Sequence, residues 1–544
     1  MYQHMQKNTK KKVQVFASTA LALGVFGSSF AAPIAEAAPG KDAAVSNRGI
    51  EVQLLGVNDW HGQIDVVRTV AGKQAGGAEY LAAYLKQREA TNKNTLLIHS
   101  GDMTGGSSPA SALLQDEPTV EIMNELGFDI GTLGNHEFDR GVDELKRLLD
   151  GGYHETTGDF EGANFPYVAA NVVYKDSGKN LLPAYNIQKV NGMKIGFIGV
   201  VTKDIKDVVI ASALENIEVT DSKTAVDKAV AELKAQGVES IVVLAHAPAT
   251  SSTDGTNPSG ESVDLANTIN DEVDIILGAH NHAYSDAIVD NKLVVQGYSY
   301  GTAFTDIDLV IDPKTKDIVK KSAEVVTTFH DGIEPDAEVK AMVDGYKAAV
   351  APLIEREVGT STEAITKTSD DSGESALGNL IADSQRTAMN TDFAFMNPGG
   401  IRADLNAGPI TWGELYTIQP FGNILVSATY TGQQIKDVLE QQFRADNKQT
   451  VLQVSGLTYT YSKEAPIGSK ITNLEDADGN TIALDKEYTV TVNNFLSTGG
   501  DGFSKLIGGK DPVVGPVDLD ALEAYIADLD APVSAPATNR ISVQ

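Results

Sequence analysis

The chain has 544 residues, 42% hydrophobic and 22% charged, with 50 Gly, 19 Pro and no Cys. This is a globular composition, which excludes collagen-like and disordered chains; the lack of Cys excludes disulfides, thiolate nucleophiles and Cys-based zinc or iron–sulfur sites. With 43 Lys+Arg against 74 Asp+Glu the net charge is −31, a poor match for duplex nucleic acid or an anionic membrane, although bound metal can offset that background for small anions.

Lys7, Lys10, Lys11 and Lys12 form a basic start. Val15 to Phe26 is an apolar run too short to span a bilayer comfortably, and Ala35-Glu36-Ala37 fits a small-x-small cleavage pattern. Residues 1–37 read as an export signal cleaved after Ala37. With no second long apolar run, the expectation is a secreted protein without a stable membrane anchor. From residue 50 to 328, short apolar strands alternate with helical stretches. Ile50–Val57, Thr95–Ile98, Ile130–Leu133, Ile195–Val201, Ile241–Ala245 and Asp274–Leu277 read as strands, and Ala78–Ala90 as a helix. Asn191-Gly192 marks a hairpin turn. Such alternation predicts a layered α/β domain, in which ligands bind at strand ends. Around Pro335–Glu357 the pattern becomes one amphipathic helix (Val339, Met342, Tyr346, Val350, Ile354), read as an interdomain linker whose last turn Pro352 kinks or shortens. A second α/β unit follows. Glu374–Met389 is helical, Phe393–Met396, Val451–Tyr461 and Tyr488–Val492 are strands, and Thr411–Glu414 and Thr431–Gln434 fit capping boxes.

Five of the nine His fall in strand-end motifs. Asp59-Trp60-His61 follows the first strand; its i and i+2 side chains share a face on an extended segment and can grip one metal. Gly101-Asp102 follows the next, and a carboxylate there can bridge two metals. In Gly134-Asn135-His136-Glu137-Phe138-Asp139, Asn135 offers a neutral oxygen, and Asp139 can orient the His136 imidazole and stabilise its protonated form. His246 ends another strand, and Gly278-Ala279-His280-Asn281-His282 the one after it. Any one of these alone is more often a turn Asp, an N-cap Asn or a satisfied core His. Five consecutive strand ends with ligand-type side chains point to a shared site. Mixed oxygen and nitrogen donors without sulfur suit two divalent ions of the Zn, Mn, Fe or Co type, a pair suited to in-line displacement at phosphorus by an activated water.

These motifs resemble those of the 5′-nucleotidases of the calcineurin-like dimetal metallophosphatase superfamily, bacterial secreted forms included. In the second half the matching pieces are Asn397-Pro398-Gly399-Gly400-Ile401-Arg402, Gln419-Pro420-Phe421-Gly422-Asn423 and Asn494–Phe503. The resemblance implies a four-layer α/β/β/α metallophosphatase sandwich over residues 48–334, a linker helix at 335–357, and a C-terminal α/β substrate-binding domain at 358–544. It implies one metal on Asp59, His61, Asp102 and His282, and another on Asp102, Asn135, His246 and His280. His136, oriented by Asp139, is the implied catalytic residue. Arg402 would contact phosphate, Phe421 and Phe495 would sandwich the base, Asn423 would contact its edge, and Asp501 would bind ribose hydroxyls. Two departures stand out. Position 282 is His where some relatives have an amide, and Asp370–Glu374 lacks the arginines that some relatives place before the helix near Gly378. The expected function is an exported phosphohydrolase of nucleoside 5′-monophosphates, with di- and triphosphates as further candidates, acting as a monomer or weak oligomer. The alternatives are a 2′,3′-cyclic-nucleotide 2′-phosphodiesterase/3′-nucleotidase on the same scaffold and, in another class, a catalytically silent nucleoside-binding protein.

Overall fold

The computed structural model describes residues 49–445 and 449–544; the expected export signal at residues 1–37 lies outside them. Ile50–Val57 is apolar and β-branched and is buried on both faces after its first two residues. It therefore sits inside a sheet, parallel to Thr95–His99 and antiparallel to Ala303–Ile311. That sheet runs in the order Ile318–Thr327, Ala303–Ile311, Ile50–Val57, Thr95–His99, Ile130–Thr132, Tyr167–Val168. A second six-stranded sheet runs Tyr185–Val190, Met193–Val201, Ser240–His246, Ile275–Leu277, Lys292–Gly297, Tyr284–Val289. Asn191 and Gly192, both at positive φ (46° and 81°), make the expected tight turn into the Met193–Val201 strand.

Leu54, Ile98 and Ile307 of the first sheet meet Phe197, Leu244 and Leu277 of the second in a buried layer. Helices Ala78–Glu89, Glu117–Leu126 and Val142–Asp150 pack on the outer face of the first sheet. Ser222–Ala235 and Glu261–Ala266 cover the second. The result is the expected α/β/β/α sandwich. Its parallel strands Ile50–Val57, Thr95–His99 and Ile130–Thr132 deliver their C-terminal loops to one edge, as do Ser240–His246 and Ile275–Leu277 in the other sheet.

The expected long helix runs Ala337–Ile354 and ends two residues after Pro352. Asp336 caps it by accepting the Val339 amide at 3.0 Å. Val339 and Val343 enter the core of the first domain, and Tyr346 hydrogen-bonds Glu121. Past its end, the Arg356 carbonyl accepts the Trp412 amide at 2.8 Å, joining it to the second domain.

The second domain has a five-stranded sheet, Gln453–Ser455, Phe393–Met396, Glu487–Asn493, Ile424–Thr431, Lys510–Val517, and a three-stranded one, Ile471–Asp476, Leu457–Tyr461, Ile541–Val543. The single strand expected over Val451–Tyr461 is two strands in different sheets, because Gly456 at φ +83° breaks the extended run. The capping box at Thr431–Gln434 is complete. At Thr411 only half forms: Glu414 N–H donates to Thr411 Oγ1 at 3.2 Å, but the Glu414 carboxylate accepts from Asn406 instead. Among the described residues no helix is long and apolar enough to cross a membrane.

Candidate active site

Backbone hydrogen bonds fasten the strand-end loops to each other. Asp59 N–H donates to Gly101 O at 3.1 Å and His61 N–H to Asp102 O at 2.9 Å. Ser100 Oγ donates to Gly278 O at 3.0 Å, crossing between the sheets. Gly134 packs so tightly that a Cβ there would lie 2.1 Å from Asp102 Oδ1. Asp59, His61, Asp102, His280 and His282 all have φ between +50° and +80°. Non-glycine residues rarely adopt that left-handed region, and such strain concentrates at functional sites.

The donor atoms converge. His61 Nδ1 lies 2.8 Å from Gly105 O, and His246 Nδ1 lies 2.9 Å from Ser100 O. A carbonyl only accepts, so these nitrogens carry protons, and Nε2 is the position each ring turns to the cluster. His246 Nε2 faces Asn135 Oδ1 at 3.1 Å and Asp102 Oδ2 at 3.2 Å. His280 Nδ1 reaches Asn135 Oδ1 at 2.8 Å. On the other side of Asp102, His61 Nε2 lies 3.0 Å from His282 Nε2 and 3.7 Å from Asp102 Oδ2, and His282 Nε2 lies 3.7 Å from Asp59 Oδ1. Within each of the sets Asp59–His61–His282 and Asp102–His246–His280, the donor atoms lie within 4.8 Å of one another. Burial pushes the Asp59 carboxyl up to about 7 and, with the His246 and Arg402 charges respectively, pulls His280 down to about 4 and His282 to about 3. Burial opposes charge on His246, yet the Asp102 carboxylate holds it up at about 9. Acceptor atoms thus crowd one another in a buried cluster, where the His246 ring proton supplies one relief and a cation would supply another. The convergence of three donors on each side of one carboxylate suits cations, so the residues present fit a metal pair.

His136 stands beside this cluster. Its amide donates to Asp102 Oδ1 and its Nδ1 meets Asp139 Oδ2, both at 2.8 Å. Against burial, the Asp139 and Asp102 charges raise its imidazole above the usual range. A cavity of about 390 Å³ opens over the cluster. Asp102, Asn135, His136, His280 and His282 line one wall, and Arg402, Phe421, Asn423, Phe495 and Asp501 of the second domain line the other. Asp59, His61 and His246 are fully buried behind the first wall.

The calcineurin-like phosphoesterase family matches residues 52–284, and the 5′-nucleotidase C-terminal domain family matches residues 357–507. The chain belongs to the 5′-nucleotidase family of calcineurin-like phosphoesterases. It is 45% identical over 509 residues to endonuclease YhcR of Bacillus subtilis, covering 91% of this chain and 41% of that protein, so it spans under half of that relative. It is 35% identical over 547 residues to cell wall protein Lmo0130 of Listeria monocytogenes, covering 90% of this chain and 69% of that one. Among solved structures, a 5′-nucleotidase precursor from Thermus thermophilus superposes with a TM-score of 0.78 at 28% identity, covering 91% of this chain and 99% of that chain. Calcineurin-like metallophosphatases use divalent metals, and the paired His/Asp donor sets described above are plausible metal-binding groups.

On the second wall of this 5′-nucleotidase-family cavity, Asn493 Nδ2 donates to Asn397 Oδ1 at 3.0 Å, and Asn397 Nδ2 to Asp501 Oδ2 at 2.9 Å. Burial raises the Asp501 carboxyl to about 6. The Phe421 ring lies 5.6 Å from the His136 ring at 14° and 5.6 Å from Arg402 Cζ. Phe421 and Phe495 line the same cavity. Two residues escaped the sequence reading. The Glu137 carboxylate accepts the amides of Asp102 at 2.9 Å, Met103 at 2.7 Å and Gly134 at 2.5 Å, pinning two donor loops together. Its place between His136 and Asp139 was the signal. Tyr300, at φ +60°, packs its ring against His61 and His282 with centroids 5.5 and 5.0 Å away. A Tyr in the Tyr298-Ser299-Tyr300 run after Gly297 carries no sequence signal for that role.

Proposed function

We propose that the chain is an exported phosphohydrolase that converts nucleoside 5′-monophosphates to nucleoside and phosphate. The observation that carries this reading is the shared cavity, with paired donor sets on one wall and an arginine, two phenylalanines and a buried carboxylate on the other. Its volume, about 390 Å³, falls within the range of small-molecule sites. Asp59, His61, Asp102 and His282 would hold one metal, and Asp102, Asn135, His246 and His280 the other. Bound there, such a pair supplies a water made nucleophilic near neutral pH and a positive clamp for phosphoryl oxygens. Arg402 donates its guanidinium fork to the phosphate. Phe421 and Phe495 take the base by their faces, a contact open to any base, while Asn423 meets its edge and Asp501 accepts the ribose hydroxyls. With Nδ1 held by Asp139, His136 presents Nε2–H to the oxygen on which charge develops as the P–O bond breaks. Water adds to phosphorus, and the nucleoside leaves with the proton on its 5′ oxygen. Export rests on the sequence of residues 1–37 and on the likeness to a relative named a cell wall protein.

The 45% likeness to a protein named an endonuclease favours a second reading, cleavage of phosphodiesters at the same centre. The test is hydrolysis by the chelator-stripped protein reloaded with Mn, Zn or Co, read as phosphate release from monoesters and as chromatographic separation of products from diesters. The substrates are 5′-AMP, 3′-AMP, 2′,3′-cyclic AMP, ATP and a single-stranded oligonucleotide, with His246→Ala as control. Metal-dependent release chiefly from 5′-AMP, absent in the variant, is expected. Preference for the cyclic diester or the oligonucleotide would transfer the assignment to the second reading, and no turnover with any metal would sink both.

A further inference from the structure

The wall that the first domain gives to the cavity is not wholly polar. Val208 and Ile210 line it together with Phe421, Phe495 and Asp501. They come from the short segment after the Met193–Val201 strand. Asp204 N–H donates to Thr202 Oγ1 at 3.2 Å, and that hydroxyl donates to Glu261 Oε2 at 2.9 Å, which ties the start of the segment to the Glu261–Ala266 helix. One helical turn, Ile205–Val208, follows and closes with Val209 N–H on Ile205 O at 2.9 Å. Val209 is then extended (φ −125°, ψ 143°), so the side chains on either side of it point away from its own. Ile205 and Val209 enter the buried core of the first domain. Val208 and Ile210 stay half-buried on the cavity side.

Their position picks out one end of the cavity. The Ile205–Val208 turn packs against Gly500–Gly502 of the second domain, the turn that carries Asp501. Gly500 backs onto the Phe495 ring, where a Cβ would come within 2.5 Å of Cε1 and Cζ. Asp207, one residue before Val208, lines a separate outer hollow with Gly502 and Arg444. The segment is therefore a thin wall between cavity and solvent at the Phe495–Asp501 end. A β-branched side chain keeps essentially one χ1 rotamer, so Val208 and Ile210 offer a preformed apolar surface that costs little to order. A phosphoryl group or a metal ion gains nothing from such a surface. A heterocyclic base and its sugar would cover it and release its water.

We propose that Val208 and Ile210 are specificity-determining residues for the nucleoside: from the first domain they supply a third apolar face against the group that Phe421 and Phe495 hold from the second. The inference deepens the nucleotidase reading and rests on it for the identity of the substrate. It makes the choice of base-bearing esters over base-less ones a joint property of both domains, set in part by a segment that carries none of the donor motifs.

The experiment uses the full chain and the variants Val208→Ala, Ile210→Ala and the conservative Ile210→Val. On the metal-loaded protein kcat/KM is measured for AMP and for ribose 5-phosphate, which lacks the base. Adenosine is titrated calorimetrically into the chelator-stripped protein. In each alanine variant the ratio of kcat/KM for AMP to that for ribose 5-phosphate is expected to fall about fivefold, and adenosine affinity to fall by about the same factor, with Ile210→Val restoring most of both. Wild-type values of ratio and affinity in both alanine variants would overturn the inference. Equal losses for AMP and ribose 5-phosphate, with adenosine affinity unmoved, would overturn it as well and leave the segment a structural part only. Val208 also packs against the core of the first domain, so Ile210→Ala keeps the test decisive if Val208→Ala loosens the fold. A wild-type protein that neither hydrolyses AMP nor binds adenosine would bring down the nucleotidase reading and this inference with it, whereas wild-type turnover and binding beside unmoved variants would sink the inference alone.

Discussion

Glu137 is not among the expected donors, yet its two oxygens take four backbone amides, those of Asp102, Met103, Thr104 and Gly134, from the loops that carry Asp102 and Asn135. Glu137→Gln keeps the size but turns an –NH₂ group toward amides that need an acceptor. Metal affinity should fall by roughly 10–100-fold while far-UV circular dichroism stays native, as a metal titration would show. Asp518 illustrates a titrating residue away from the metals. Burial raises its carboxyl to about 7, against Oδ1 accepting the Leu519 amide at 2.8 Å and Oδ2 the Gln419 amide nitrogen at 3.3 Å. A carboxyl whose folded pKa exceeds its unfolded value stabilises the fold fully below the unfolded pKa, near 4, and that contribution is lost as pH rises through about 7. Wild-type melting temperature should therefore decline over that window, and Asp518→Asn should flatten the decline. The melting temperature of the variant minus that of wild type should grow from about pH 5 to about pH 8. A difference that stays constant with pH would show that Asp518 does not titrate there.

Elements were read from sequence most accurately where the chain is buried on both faces. Ile50–Val57 and Phe393–Met396 have the expected ends because apolar runs bounded by polar residues leave little choice of register. The candidate donor cluster was legible for the same reason: strands end sharply, and ligand-type side chains follow within a few residues. The Gln453–Tyr461 region was misread because its alternation continues straight through Gly456, whose positive φ no periodicity reveals. The half-formed cap at Thr411 was misread because Asn406 is close to Glu414 only in the folded chain. The contact of Arg68 with Tyr300 behind His61 and His282 was invisible, since a hairpin and a strand-end turn bring them together from unrelated parts of the sequence. Gly456 provides the test at this scale. A Cβ there would sit 2.2 Å from Asp392 O, on a backbone that L-residues avoid. Gly456→Ala should cost about 1–3 kcal/mol by chemical denaturation, through strain and displaced backbone between the two sheets. A cost near zero would mean that Gly456 is not the point where the run must break.

For the molecule as a whole the dominant long-range term is its own charge. A net −31 repels itself in the compact state, and salt screens that repulsion. Melting temperature should rise by a few degrees between about 10 mM and about 500 mM NaCl, a trend scanning fluorimetry would resolve; a fall would place the stability in ion pairs instead. Nearby, the left-handed backbones of Asp59, His61, Asp102, His280 and His282 set an order of assembly. An unfolded chain seldom visits those conformations, so five of the seven expected donors take up their geometry only once both sheets and their stitched loops are in place. Folding comes first and loading second. If the proposed metal pair binds, its ions would then be drawn from those surrounding the folded protein.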